Sequence, residues 1–175
     1  MGREGITDSF ERLNVWSRGG QRAPHKPLLV LYALGRWSRG DTGAIPFRDV
    51  DRDLTALLKE FGPPRQSYHP EYSFWRLQND GVWEVYADGP LKARRSNTDP
   101  PKGELLAHDA RGKFSPKVQA ALRADPALAG DIADRLLANH FPESLHPDIL
   151  AAVGLDLGAP LTGTRKRDPQ FRSGC

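Results

Sequence analysis

The chain has 175 residues, one cysteine, and 25 lysines and arginines against 22 acids, a formal charge of +3. That length builds one domain with its own core plus a tail, and the lone Cys175 at the last position rules out an internal disulfide or a zinc ribbon, as expected of a cytoplasmic protein. No apolar run reaches the roughly 18 residues of a membrane span, the start MGREGITDSF has no signal-peptide core, and the tail cations Arg165, Lys166, Arg167 and Arg172 supply the whole basic excess.

Charge is uneven along the chain. Residues 12–40 carry Arg12, Arg18, Arg22, Lys26, Arg36 and Arg39 with no acid, whereas 118–163 hold six acids against two arginines. A basic end and an acidic end fit a face turned toward a polyanion, and equally fit solvated helix surfaces.

In chain order, Pro24-His25-Lys26-Pro27 leads into the apolar run Leu28–Leu34, which predicts a central buried helix entered through a stiff turn. Ile45-Pro46-Phe47 reads as extended, and Val50, Leu54, Leu57, Leu58 and Phe61 form one helical face behind a possible N-cap at Asp49. Gly62-Pro63-Pro64 stops that helix. Residues 74–78 and 82–86 flank Asn79-Asp80-Gly81, which predicts a β-hairpin over about 73–86. Residues 92–101 read as a cationic loop before a short helix at 103–108, and helices start after Ser115-Pro116, after Asp125-Pro126 and at Leu145.

The fold class expected is therefore α+β and helix-dominated. It is one domain over 1–157 with a central buried helix, a hairpin wing like that of a winged helix, and a C-terminal helical bundle; residues 158–175 form a linker and basic tail.

Several constellations invite catalytic readings. Ser67 and His69 share a face if extended, but no strand-turn-helix elbow surrounds the serine. Asn139-His140 and His146 fall at helix ends rather than in the strand-strand-helix frame of a metal-dependent nuclease. Trp37 and Trp83 suit core packing better than base stacking. Two proline-stiffened turns remain, 21–27 and 65–73, each setting cations or hydrogen-bonding groups beside apolar surface.

Those two turns carry a resemblance. Leu13-Asn14-Val15-Trp16, Arg18-Gly19-Gly20-Gln21-Arg22-Ala23-Pro24-His25-Lys26-Pro27, Phe61-Gly62-Pro63-Pro64-Arg65-Gln66-Ser67-Tyr68-His69-Pro70-Glu71-Tyr72, Phe74-Trp75-Arg76-Leu77 and Ser96-Asn97-Thr98-Asp99-Pro100 together resemble the sulfur-binding domain of phosphorothioation-dependent, McrA-type restriction endonucleases, over about residues 8–157. The resemblance implies binding of double-stranded DNA bearing an Rp phosphorothioate, in which sulfur replaces one non-bridging phosphate oxygen.

By position it implies a sulfur pocket of Ser67, His69, Pro70 and Ser73, with His69 where some relatives have tyrosine and Ser73 where they have alanine. It puts the phosphate-clamping arginine at Arg22, the base-reading arginine at Arg95, and further DNA contacts at Gln21, His25, Tyr68, Arg94 and Asn97. It implies a binding domain without catalytic residues, metal or cofactor of its own; a divalent metal would belong to an HNH nuclease domain toward which Arg165–Arg172 leads. A membrane partner is not expected. Two other readings stay open: a winged-helix-like DNA-binding module indifferent to sulfur, and a fragment of a metal-dependent nuclease.

Overall fold

The computed structural model describes residues 3–13, 17–18, 21–22, 24–89, 91 and 99–155. Helix α1 (Arg3–Glu11) is followed by a two-residue antiparallel pair, β1 (Ser17–Arg18) and β2 (Gln21–Arg22), registered Ser17 opposite Arg22. Pro24 then caps α2 (His25–Ser38). Proline fits this entry because the first turn of a helix has no intrahelical use for its N–H groups. Residues 28–34 of α2 are all buried, Leu28 to Leu31 and Leu34 completely. This is the central helix that the unbroken apolar run predicts.

Around α2 pack α3 (Phe47–Phe61), α4 (Pro70–Arg76), α7 (Leu128–His140) and α8 (His146–Val153), with α5 (Lys102–Ala107) against α3 and α1 laid on α7 and on α6 (Pro116–Ala124). The buried face of α3 is Val50, Leu54, Leu57, Leu58 and Phe61, the predicted helical spacing, joined by Phe47, which was expected to be extended but opens the helix after Pro46. Its N-cap is Pro46 rather than Asp49, which instead sits in the first turn with an ion pair to Arg36 at 3.4 Å. At the head of α2, Lys26 and Asp80 form a 2.7 Å ion pair whose side chains are only 10% and 6% exposed. Breaking such a pair leaves a buried charge uncompensated. It therefore fixes the start of α2 against the 3₁₀ turn (Leu77–Asp80) that follows α4.

The expected hairpin over 73–86 is not formed. Phe74, Trp75 and Arg76 are helical, in α4, and β4 (Trp83–Tyr86) pairs with β5 (Arg111–Phe114), which pairs in turn with β3 (Ile45–Pro46). The segment expected as a wing thus supplies β4, an edge strand of a three-stranded antiparallel sheet, order β3-β5-β4, built from distant segments. The physical reason is periodicity. Pro70, Phe74 and Leu77 are buried at helical spacing, and Pro70 at the first helical position favours that start. Gly81 does take the positive φ expected of it, +79°, but closes the 3₁₀ turn instead of joining two strands.

Trp83 anchors the sheet to the helices. It is 2% exposed, edge-on to Phe74 and Phe114, and Phe74 in turn packs on Phe47 at 4.9 Å. Gly112 lies under it: a Cβ there would sit 2.4 Å from the indole. Because Trp83 is hemmed in, Gly112→Ala is expected to cost about 1–3 kcal/mol and lower the melting temperature by roughly 2–12 °C. Gly103→Ala, with nothing within 4 Å, is the control. Equal melting temperatures for the two variants would contradict this packing.

Candidate nucleic-acid interface

The second proline-stiffened turn runs from the end of α3 into α4. Gly62 closes α3 through its N–H on the Leu58 carbonyl, and residues 64–67, Ser67 included, are exposed. From Tyr68 the chain turns inward. The Arg65 backbone N–H donates to the Tyr68 hydroxyl at 3.3 Å, and His25, at the head of α2, bonds the Tyr68 carbonyl through Nε2 at 3.0 Å. A carbonyl only accepts, so His25 Nε2 carries the hydrogen. His25 and Tyr68 thereby join the heads of α2 and α4.

Burial holds the His25 imidazole below its ordinary value of 6.5, and Arg65 and His69 push the same way, while the bond to Tyr68 opposes them. Its folded pKa lies below its unfolded one, so unfolding takes up a proton. The stability it contributes is present above about pH 6.5 and is lost as pH falls. His25→Gln keeps an N–H donor without the titration and is expected to flatten the fall in stability between about pH 7 and about pH 5. Denaturant titrations giving identical slopes for both proteins would contradict the burial of a neutral His25.

His69 caps α4 in the left-handed region, φ +50° and ψ +57°. For a non-glycine residue this is strained, and it persists only where the surroundings fix it. Three contacts do so. Nδ1 bonds Oε2 of the buried Glu71 at 3.0 Å, the ring lies parallel to Tyr72 with centroids 4.6 Å apart and planes 6° apart, and the His69 carbonyl accepts the Tyr72 N–H. Pro70 is buried, and Ser73, only 4% exposed, donates its hydroxyl to the Pro70 carbonyl at 3.2 Å. Ser67 and His69 therefore face outward, and Pro70 and Ser73 lie beneath them.

Of the residues expected at a site, the fold brings together His25, Ser67, Tyr68, His69, Pro70 and Ser73. Gln21 and Arg22 are in β2, directly before the Pro24 cap of α2. The cationic loop residues Arg94, Arg95 and Asn97, the tail at 158–175 and Trp16 lie outside the described residues. Sequence reasoning missed Glu71, Tyr72, Arg76 and Asp99. Arg76 lies 4.9 Å over the Tyr72 ring and donates to Asp99 at 2.6 Å. The signal available was the helical spacing of 69, 72 and 76, hidden by reading 65–73 as a turn and 74–78 as a strand.

The alternative catalytic constellations gain no geometry. Ser67 is exposed while His69 spends Nδ1 on Glu71, and His146 Nε2 bonds the Phe141 carbonyl at 3.0 Å. Among the described residues, no group of three or more His, Cys, Asp or Glu side chains is placed to hold a metal, and no helix is long and apolar enough to cross a membrane.

Comparison with known proteins follows the fold closely. The profile of the ScoMcrA-like, DNA sulfur-binding domain family matches residues 3–158. No curated protein matches the chain. Among solved structures, the sulfur-binding and SRA domains of ScoMcrA complexed with phosphorothioated DNA superpose with a TM-score of 0.72 at 24% identity, covering 86% of this chain and 46% of that one. The sulfur-binding domain of SprMcrA complexed with phosphorothioated DNA gives 0.72 at 19% identity, covering 89% and 95%. The type IV phosphorothioation-dependent restriction endonuclease ScoMcrA gives 0.68 at 22% identity, covering 85% of this chain and 32% of that one. At these identities the superpositions establish the helix-dominated α+β fold.

Proposed function

The chain belongs to the ScoMcrA-like DNA sulfur-binding domain family, a DNA-binding module, and from that premise we propose that it grips double-stranded DNA at an Rp phosphorothioate linkage. The sulfur enters a pocket of Ser67, His69, Pro70 and Ser73, and Arg22 clamps the remaining oxygen of the same linkage. Gln21, His25, Tyr68, Arg94, Arg95 and Asn97 make flanking contacts. In a longer protein this domain directs a nuclease to modified DNA, and the nuclease carries the metal.

The observation that supports this reading best is how the polar groups of the turn are used. The Tyr68 carbonyl is taken by His25, His69 Nδ1 by Glu71, and the Ser73 hydroxyl by the Pro70 carbonyl, while Pro70 has no N–H at all. The donors of His25 and Ser73 are thus spent inside the turn, while the Ser67 hydroxyl stays exposed. A phosphate oxygen moved against Pro70 and Ser73 loses its water bonds without replacement, at about 1–3 kcal/mol. Sulfur is larger, more polarizable and a weaker acceptor, so it loses less and gains dispersion contacts with the proline and imidazole rings.

The linkage remains anionic, and burial of its charge needs compensation. Arginine's planar fork donates two parallel bonds to a phosphate, which lysine cannot reproduce. A pocket for sulfur on one side and a clamp for oxygen on the other also distinguish the two diastereomers, because exchanging the substituents puts oxygen in the dry pocket. Competition among Rp, Sp and unmodified duplexes of one sequence tests the reading.

A further inference from the structure

The pocket wall proposed above includes a histidine that is 43% exposed at its side chain. The torsion that orients an imidazole is broad, so such a ring needs something to hold its plane. Tyr72, itself 40% exposed and absent from the proposed DNA contacts, is offset-stacked on one face of that ring, with centroids 4.6 Å apart and planes 6° apart. Arg76 lies 4.9 Å over the same tyrosine, and Asp99 holds the Arg76 Nε–H at 2.6 Å. Asp99 is itself mostly buried, with a side chain 12% exposed, and it follows the cationic segment 92–98 directly in sequence. A continuous series of contacts therefore runs from His69 through Tyr72 and Arg76 to Asp99.

We propose that Tyr72 is the positioning residue of the sulfur pocket: its ring, steadied by the Arg76–Asp99 ion pair, backs His69 so that only the opposite imidazole face meets the guest. Glu71 sets the remaining freedom, accepting from Nδ1 and so fixing which edge of the ring points outward. The requirement is for a flat ring at position 72; the tyrosine hydroxyl is not used. This rests on the reading that His69 lines a sulfur pocket.

Rp and unmodified duplexes are titrated with the wild type, Tyr72→Leu and Tyr72→Phe. Tyr72→Leu is expected to lower the ratio of Rp to unmodified affinity about three- to tenfold, as loss of an aromatic pair implies, and Tyr72→Phe to keep the ratio within about twofold of wild type. An unchanged ratio in Tyr72→Leu, or an equal loss in Tyr72→Phe, overturns the positioning role. The second result would make the hydroxyl itself the contact. A wild type with no Rp preference overturns the pocket reading instead, so the two failures are separable.

Discussion

Arg22→Ala is expected to weaken binding of an Rp phosphorothioate duplex by about 2–4 kcal/mol, roughly thirty- to a thousandfold. The size follows from what removal would leave behind: an anionic linkage in the proposed pocket, where the His25 Nε2–H and the Ser73 hydroxyl are already bonded within the turn. Truncating one partner of a desolvated charge pair costs more than the pair contributes, because the other charge stays buried and unpaired. Arg22→Lys restores charge without the fork and is expected to recover part of the loss. Arg22 belongs to the two-residue strand β2, where its backbone pairs with Ser17 directly ahead of the capped head of α2. Fluorescence anisotropy titrations with the three proteins check the order wild type, Lys, Ala. Wild-type affinity in Arg22→Ala would remove Arg22 from the clamp.

The second large effect is selectivity for sulfur. Rejection of oxygen is expected to supply most of it, since the unsatisfied acceptor costs about 1–3 kcal/mol, which is roughly five- to more than a hundredfold in affinity. Dispersion gains with Pro70 and His69 add to this, each atom pair contributing about 0.1–0.2 kcal/mol. Phosphate contacts elsewhere on the duplex act equally on modified and unmodified DNA, so they raise both affinities and leave the ratio alone. Salt is therefore expected to weaken both complexes steeply while changing the preference little.

How far the sequence carries this account depends on the range of the interactions involved. The unbroken apolar run of Leu28–Leu34 reads directly as the buried helix it forms, because burial on every face needs no knowledge of the partner. The helical face of α3 is legible for the same reason. The strand register is not: Trp83 pairs with Phe114 and Ile45 with Gly112, and short strands whose partners are distant carry no local mark of them. A turn sequence at 79–81 beside aromatic residues suggested a local hairpin, and tertiary packing of Phe74 on Phe47 and Trp83 won.

At the candidate site, the proline-stiffened turns are legible as boundaries between elements, because prolines fix φ locally: Pro24 caps α2 and Pro70 opens α4. The sequence pattern did not disclose that His69 would be left-handed, bonded to Glu71 and stacked on Tyr72. Those contacts exist only once Pro70–Arg76 is helical, which turns Tyr72 back onto residue 69. Reading 74–78 as a strand concealed them.

The most direct measurement is a competition at near-physiological salt among three duplexes of identical sequence, one with an Rp phosphorothioate, one with Sp, and one unmodified. The Rp duplex is expected to displace the other two at a concentration at least about tenfold lower, and Sp and unmodified DNA are expected to bind alike. Equal affinities for all three would contradict the sulfur pocket and leave a module that holds DNA through its phosphates.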